Sequence, residues 1–181
     1  MGLPEPVKSL MGRNYMKARK MFMVLGMVAV LGLALAPVAS AADLMVVATP
    51  DSFAKAADWA KFLESKNIPI KNVAPSDLAA FKDAPYVVLL GAMDEAGGIK
   101  PLAEKALSKS EFERMNQAGS SAMYVKSDVW GKGQEVIIIT GAGDKGVETA
   151  RKGNRAEWMD IIFGWFGVEN EATGKSGTPS Y

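Results

Sequence analysis

The run Tyr86-Val-Val-Leu-Leu90 constrains this chain more than any other stretch. Pro85 precedes it and Gly91 closes it, and it does not alternate apolar with polar residues. A strand with one wet face alternates, whereas an unbroken apolar run of this length is buried on both faces. Such a strand needs a layer of structure above and below it, which points to a sheet between helices. Four further strands suit the same sheet. Leu44–Thr49 is short and Val-rich. Ile68–Val73 contains Pro69, which places it near an edge. Ala122–Lys126 is the fourth, and Val136–Thr140 is the fifth and most β-branched.

Helical signals fill the intervals. Thr49-Pro50-Asp51 is a cap, a first-position proline and an acid. The helix it starts runs to about Lys66, with Phe53, Ala57, Ala60 and Leu63 on one face, and ends at Asn67. Ser76 caps a short helical stretch through Phe81. A helix from Pro101 to Leu107 is followed by Ser108-Lys-Ser-Glu111, a capping box that restarts a helix through about Gln117. Asp144 caps a last helix whose apolar side holds Val147, Ala150, Trp158, Ile161, Ile162 and Trp165. The link from Ser127 to Glu135 is too short for a parallel crossover, so strands four and five are antiparallel if they pair. The expectation is a single three-layer α/β domain. Its five-stranded sheet is mixed but mostly parallel, in the order 2-1-3-5-4, with helices on both faces.

The start of the chain has a different character. Met16-Lys-Ala-Arg-Lys20 is basic, Met21 to Leu35 is apolar, and Pro37 precedes Ala39-Ser-Ala41. These are the three parts of a secretory signal peptide. The apolar run is shorter than the roughly 20 residues of a spanning helix. Residues 1–41 are therefore expected to form a leader with Met16 as its true start, cleaved after Ala41. Retention as a membrane anchor is the alternative. The domain then covers residues 42–168. Residues 169–181 are polar, with Gly, Ser and Pro and no periodicity, and are expected to be a disordered tail.

Export changes the meaning of the charge. The leader holds five of the 21 basic residues and one of the 20 acidic ones, leaving 16 against 19 and a net of −3 on 140 residues. That length suffices for one core. No basic block remains to bind nucleic acid. The chain has no cysteine, which excludes disulfides, thiolate metal sites, thiol catalysis and lipoprotein processing. It also has no histidine. The commonest general base and zinc ligand are thus missing, and so is every Ser-His-Asp arrangement. Ser52-Phe-Ala-Lys55 has the spacing of a Ser-Lys hydrolase motif. Its companions fail, because Val129 follows Ser127-Asp128 where Asn is required and Lys175-Ser-Gly177 lies in the tail.

In sheets of this kind, ligands bind beyond the carboxyl ends of the parallel strands. Gly141-Ala-Gly143-Asp144-Lys145-Gly146 follows a strand and opens a helix there. It is a formal glycine-rich anion loop, but no strand with an acidic end follows to complete a dinucleotide fingerprint. Gly141, Gly143, Asp144 and Lys145 are candidate binding residues. Asp51, Asp94, Glu95 and Asp144 could converge on the same edge and hold Mg²⁺ or Ca²⁺. Trp130, among glycines in the turn that ends at Gln134, is a candidate stacking platform for a sugar or a protein, and Gln134 joins it as a binding candidate. The alternative is that Trp130 folds over one end of the core. That turn should lie at the sheet end opposite the Gly91 and Gly141 loops.

Several of these segments together resemble a known domain. They are Pro85-Tyr-Val-Val-Leu-Leu-Gly91, Leu107-Ser with Glu111, Met123-Tyr-Val-Lys126, Val129-Trp130 with Gly133-Gln134, Val136 to Gly141, and Asn154-Arg155. The stretch from Pro85 to Trp165 resembles a small α/β domain that recurs in archaeal cell-surface and S-layer-type proteins. The resemblance implies a cell-surface setting and carries over no catalytic residue. The sequence therefore favours an exported binding or structural domain that contacts an envelope protein or glycan, with no cofactor. The alternative is a small carboxylate-dependent, metal-assisted hydrolase using Asp51, Asp94 and Asp144.

Overall fold

The computed structural model describes residues 42–169. The assignments made to the leader, including its start at Met16 and its cleavage after Ala41, lie outside the described residues, as does the tail beyond Glu169.

The five strands are β1 (Leu44–Val47), β2 (Ile70–Val73), β3 (Tyr86–Ala92), β4 (Ser121–Ser127) and β5 (Glu135–Gly141). They form one sheet in the order β2-β1-β3-β5-β4. β1 pairs in parallel with β2 and β3, and β3 with β5. β4 runs antiparallel to β5, with Ser121 opposite Gly141 and Ser127 opposite Glu135. The short link between them allows nothing else. The central position of β3 follows from its composition, since a strand apolar on both faces is stable only between two other strands and two helical layers.

Among the described residues, six helices cover the sheet: α1 (Pro50–Lys55), α2 (Ala57–Ser65), α3 (Lys100–Ala106), α4 (Lys109–Met115), α5 (Gly143–Gly153) and α6 (Arg155–Phe166). The capping box at Ser108 is complete, with the Ser108 side chain accepting from the Glu111 amide and the Glu111 carboxylate accepting from the Ser108 amide. Two expected helices are each broken into two. The first breaks at Ala56, which leaves helical geometry (φ −108°, ψ 18°). The last breaks at Asn154, where Gly153 and Asn154 are weak helix formers and the Asn154 side chain donates to the carbonyl of Ala150 at 2.7 Å. Two expected caps are also corrected. α5 is preceded by Ala142, and Asp144 lies in its first turn. Ser76 caps nothing, because Leu78–Ala80 is a single 3₁₀ turn entered from Asp77 without a side-chain cap.

Alternate residues of the strands enter two cores. Leu44, Val46, Val88, Leu90, Ile137 and Ile139 pack against Trp59, Leu63, Trp158 and Ile162 of α2 and α6. Val47, Val87, Leu89, Val136 and Ile138 pack against Phe81, Ile99, Leu102 and Met115. Each such aliphatic side chain contributes about 1.5–3 kcal/mol on burial. Without disulfides, these two layers are what hold the described domain together.

Candidate functional site

Because β1, β3 and β5 are parallel, their carboxyl ends meet at one edge, and the loops after them carry the acids singled out above. Glu95 reaches back from the β3–α3 loop to the start of α1. It accepts hydrogen bonds from the Thr49 hydroxyl and from Ser52 Oγ, the latter at 2.8 Å. Gly91 and Gly98 make room for it, since a Cβ at either position would come within 3.0 Å of Glu95 atoms. Asp94 accepts from the backbone N–H of Gly143 at 3.0 Å. It thereby occupies the first turn of α5, where an external anion would have to bind. Asp144 accepts from Lys55 Nζ at 2.8 Å, and Asp51 lies 3.9 Å from the same ammonium. The hydrogen bond to Asp144 holds the Lys55 ammonium above its ordinary pKa.

The acids thus reach one edge, as the strand order requires, but they do not form a coordination shell. Glu95 is held by Thr49 and Ser52 and Asp94 by the Gly143 amide, while Asp51 and Asp144 face one shared ammonium, that of Lys55. Among the described residues, no group of three or more carboxylates could hold a metal ion. This corrects the metal set Asp51, Asp94, Glu95 and Asp144: capping and ion pairing have satisfied the charges.

The glycine-rich loop has a packing role. A Cβ on Gly141 would lie 2.6 Å from both the carbonyl carbon of Gly146 and the carbonyl oxygen of Ser120. Gly146 is equally confined, with the Ser120 oxygen at 2.6 Å. The two glycines therefore let α5 sit directly on the end of β5. Gly143 serves a left-handed turn (φ 62°). Lys145 is exposed.

Trp130 and Gln134 lie at the other end, beside the start of β5, as the topology demands. Gln134 is 2% exposed and fully committed. Its Nε2 donates to the carbonyls of Phe81, Lys82 and Ala84 at 3.2, 3.2 and 2.8 Å. Its Oε1 accepts from the Trp130 amide at 3.2 Å. No polar atom of Gln134 is left for a ligand, which corrects its place among the binding candidates. Trp130 is half-buried, packs edge-on against Phe81 with centroids 5.4 Å apart, and buries an Nε1 that has no partner among the described residues. It folds over the end of the core.

A concave surface that the sequence did not announce runs between α1–α2 and α5–α6. It comprises two pockets of about 250 Å³ each, and Arg151 lines both. The first reaches Ser52, Lys55 and Asp144. The second is walled by Trp59, Phe62, Trp158, Lys152 and Arg155. Arg151 is 9% exposed and donates from Nη1 to Asp58 at 3.1 Å. That pairing helps hold Asp58 below its ordinary pKa against the opposing effect of desolvation. Arg155 lies over the Phe62 ring at 5.4 Å. Trp59 and Trp158 meet edge to face, and Trp158 Nε1 donates to the carbonyl of Arg151. One signal for this surface was present in the sequence: Arg151 follows Val147 and Ala150 at the spacing of an inward helical stripe, where a charge is out of place.

Compared with known proteins, the chain matches no family model, no curated protein and no solved structure. Fold and geometry define an α/β domain with a groove between two helix pairs, and the functional reading rests on them.

Proposed function

We propose that the chain is an exported, non-enzymatic domain that binds a protein segment or a glycan of the cell envelope in the groove over Arg151. The observation that carries this reading is the pocket in which Arg155 lies over the Phe62 ring, with Lys152 and the Trp59–Trp158 pair in the same lining. A pocket lined by cationic and aromatic side chains suits an extended chain bearing hydroxyl or carboxylate groups. The leader-like sequence and the resemblance of residues 85–165 to a domain of archaeal cell-surface proteins support the envelope setting. The chemistry of the edge acids supports the absence of catalysis, because each is spent on an internal partner.

The test is a titration of purified envelope polysaccharide and, separately, of solubilised envelope protein, comparing the wild type with a Lys152→Glu, Arg155→Glu double variant. Both side chains are exposed, so the fold should keep its melting temperature while affinity for one of the two ligands falls at least about tenfold, or 1.4 kcal/mol. Equal binding by the double variant would remove the groove from consideration.

A further inference from the structure

The two edges of the sheet are guarded very differently. β2 has four residues, follows Pro69 and exposes Lys71 and Asn72. Short length, proline and a charged residue are the usual devices that keep an edge strand from pairing. β4 has seven residues, no proline and an uninterrupted register against β5. Among the described residues, Val125 on β4 is the large apolar side chain left exposed, at 40%. The lysine of β4, Lys126, does not guard the edge. Its Nζ donates to both carboxylate oxygens of Glu111 at 2.8 Å, which neutralises it on the α4 face.

The open hydrogen-bonding groups of β4 can be assigned. Just beyond its two ends, Ala142 donates to the carbonyl of Ser120 and Asp128 donates to the carbonyl of Gln134. Hydrogen-bonded and non-bonded positions alternate along an antiparallel ladder. Ala122, Tyr124 and Lys126 therefore bond inward to β5, whereas Ser121, Met123, Val125 and Ser127 direct their N–H and C=O groups to the free edge.

The strand Ser121-Ala-Met-Tyr124-Val-Lys-Ser127 is also close to palindromic in character about Tyr124. Reversed on itself about that residue, it sets Ser121 against Ser127, Met123 against Val125, and Ala122 against Lys126. Tyr124 then meets Tyr124 of the partner subunit. No lysine opposes a lysine. Every opposed pair of outward-facing residues falls in a hydrogen-bonding position, and the Tyr124 pair falls in a non-bonded position, where side chains are closest. β4 is the last strand of the sheet, and its start opens onto a shallow depression of about 540 Å³ lined by Arg114, Gln117, Asn154 and Ser121 to Met123.

We propose that β4 pairs antiparallel with β4 of a second copy of this chain about a two-fold axis at Tyr124, joining two five-stranded sheets into one. This surface is separate from the groove, and neither proposal depends on the other.

The test uses the protein purified in its cell-processed form. Light scattering over a concentration series should show a reversible monomer–dimer equilibrium. Val125→Pro deletes an N–H that β5 does not use, so the domain should keep its circular dichroism while dimer association falls at least about tenfold. The absence of cysteine allows the register to be read directly. Opposed Cα atoms lie about 4.5–5.5 Å apart in an antiparallel ladder, within the span of a disulfide. Tyr124→Cys should cross-link to itself under mild oxidation. Met123→Cys and Val125→Cys should cross-link efficiently only when the two variants are mixed, and this pair keeps the register readable if Tyr124→Cys folds poorly. A monomer at every concentration, a dimer that survives Val125→Pro, or Val125→Cys self-linking as fast as the mixture would each overturn the proposal.

Discussion

Each end of the sheet carries a lysine–carboxylate bridge of 2.8 Å, and the two differ in everything except that distance. At the amino ends of β3 and β5, Lys126 meets Glu111 with side chains 26% and 24% exposed. At the carboxyl ends, Lys55 meets Asp144 with side chains 52% and 65% exposed. The Glu111 carboxyl is lowered from 4.5 to about 2, first by Lys126 and then by the Ser108 amide of its own capping box. The pair at the carboxyl ends has only the more distant and exposed Asp51 beside it, 3.9 Å from the Lys55 ammonium, and faces open water. Beside the first bridge, Gln134 satisfies three loop carbonyls, whereas the polar network at the carboxyl ends, Glu95 with Thr49 and Ser52, does not include the Lys55–Asp144 bridge. The bridge at the end of the sheet where ligands ordinarily bind is thus the weakly tied one, and the opposite bridge belongs to a structural clamp.

The sharpest way to break that contrast is at Gln134. Gln134→Leu keeps the volume but leaves buried carbonyls without a donor, each costing about 1–3 kcal/mol. A total loss of about 3 kcal/mol is expected. For a domain of this size, thermal unfolding should show it as a fall of about 10 °C in Tm. A loss under about 1 kcal/mol would mean that the Phe81–Ala84 loop holds itself.

Acid titration distinguishes the two bridges. The folded pKa of Glu111 lies below its unfolded value, so its contribution is complete above about pH 4.5 and is lost as pH falls towards about 2. Partial exposure reduces the effect to about 1–2 kcal/mol. Urea unfolding across that window should show wild-type stability dropping, while Glu111→Gln, already lacking this contribution, should drop less by the same amount. Parallel curves for the two proteins would remove the clamp.

The smallest effect is expected at the carboxyl end. Lys55→Ala should leave Tm unchanged in low and high salt, because solvent and ions screen an exposed pair. A drop as large as that of Glu111→Gln would show that the two ends are alike after all.

Much of the fold was legible in the sequence because its signals are local. The unbroken run Tyr86–Leu90 placed β3 in the centre, Pro69 sent β2 to an edge, and the short link after Ser127 forced β4 to turn back on β5. The breaks at Ala56 and Asn154 were less legible, because the apolar period continues across both and the break depends on backbone geometry at one residue. The candidate site was legible only as a place. Strand order brought Asp51, Asp94, Glu95 and Asp144 to one edge, but their partners, Lys55, Gly143, Thr49 and Ser52, belong to segments distant in the chain or to backbone groups with no side-chain signature.

By itself, then, the sequence determined the layer order, the strand order and the direction of each strand. These follow from apolar period, turn chemistry and connection length, all of which are read along the chain. Tertiary structure alone decided which polar groups are spent. Whether Asp144 awaits a ligand or holds Lys55, and whether Gln134 is offered to solvent or buried against three carbonyls, depends on residues 50 or more positions away. A hydrogen bond across that separation is set by how the layers pack, and no local pattern encodes it.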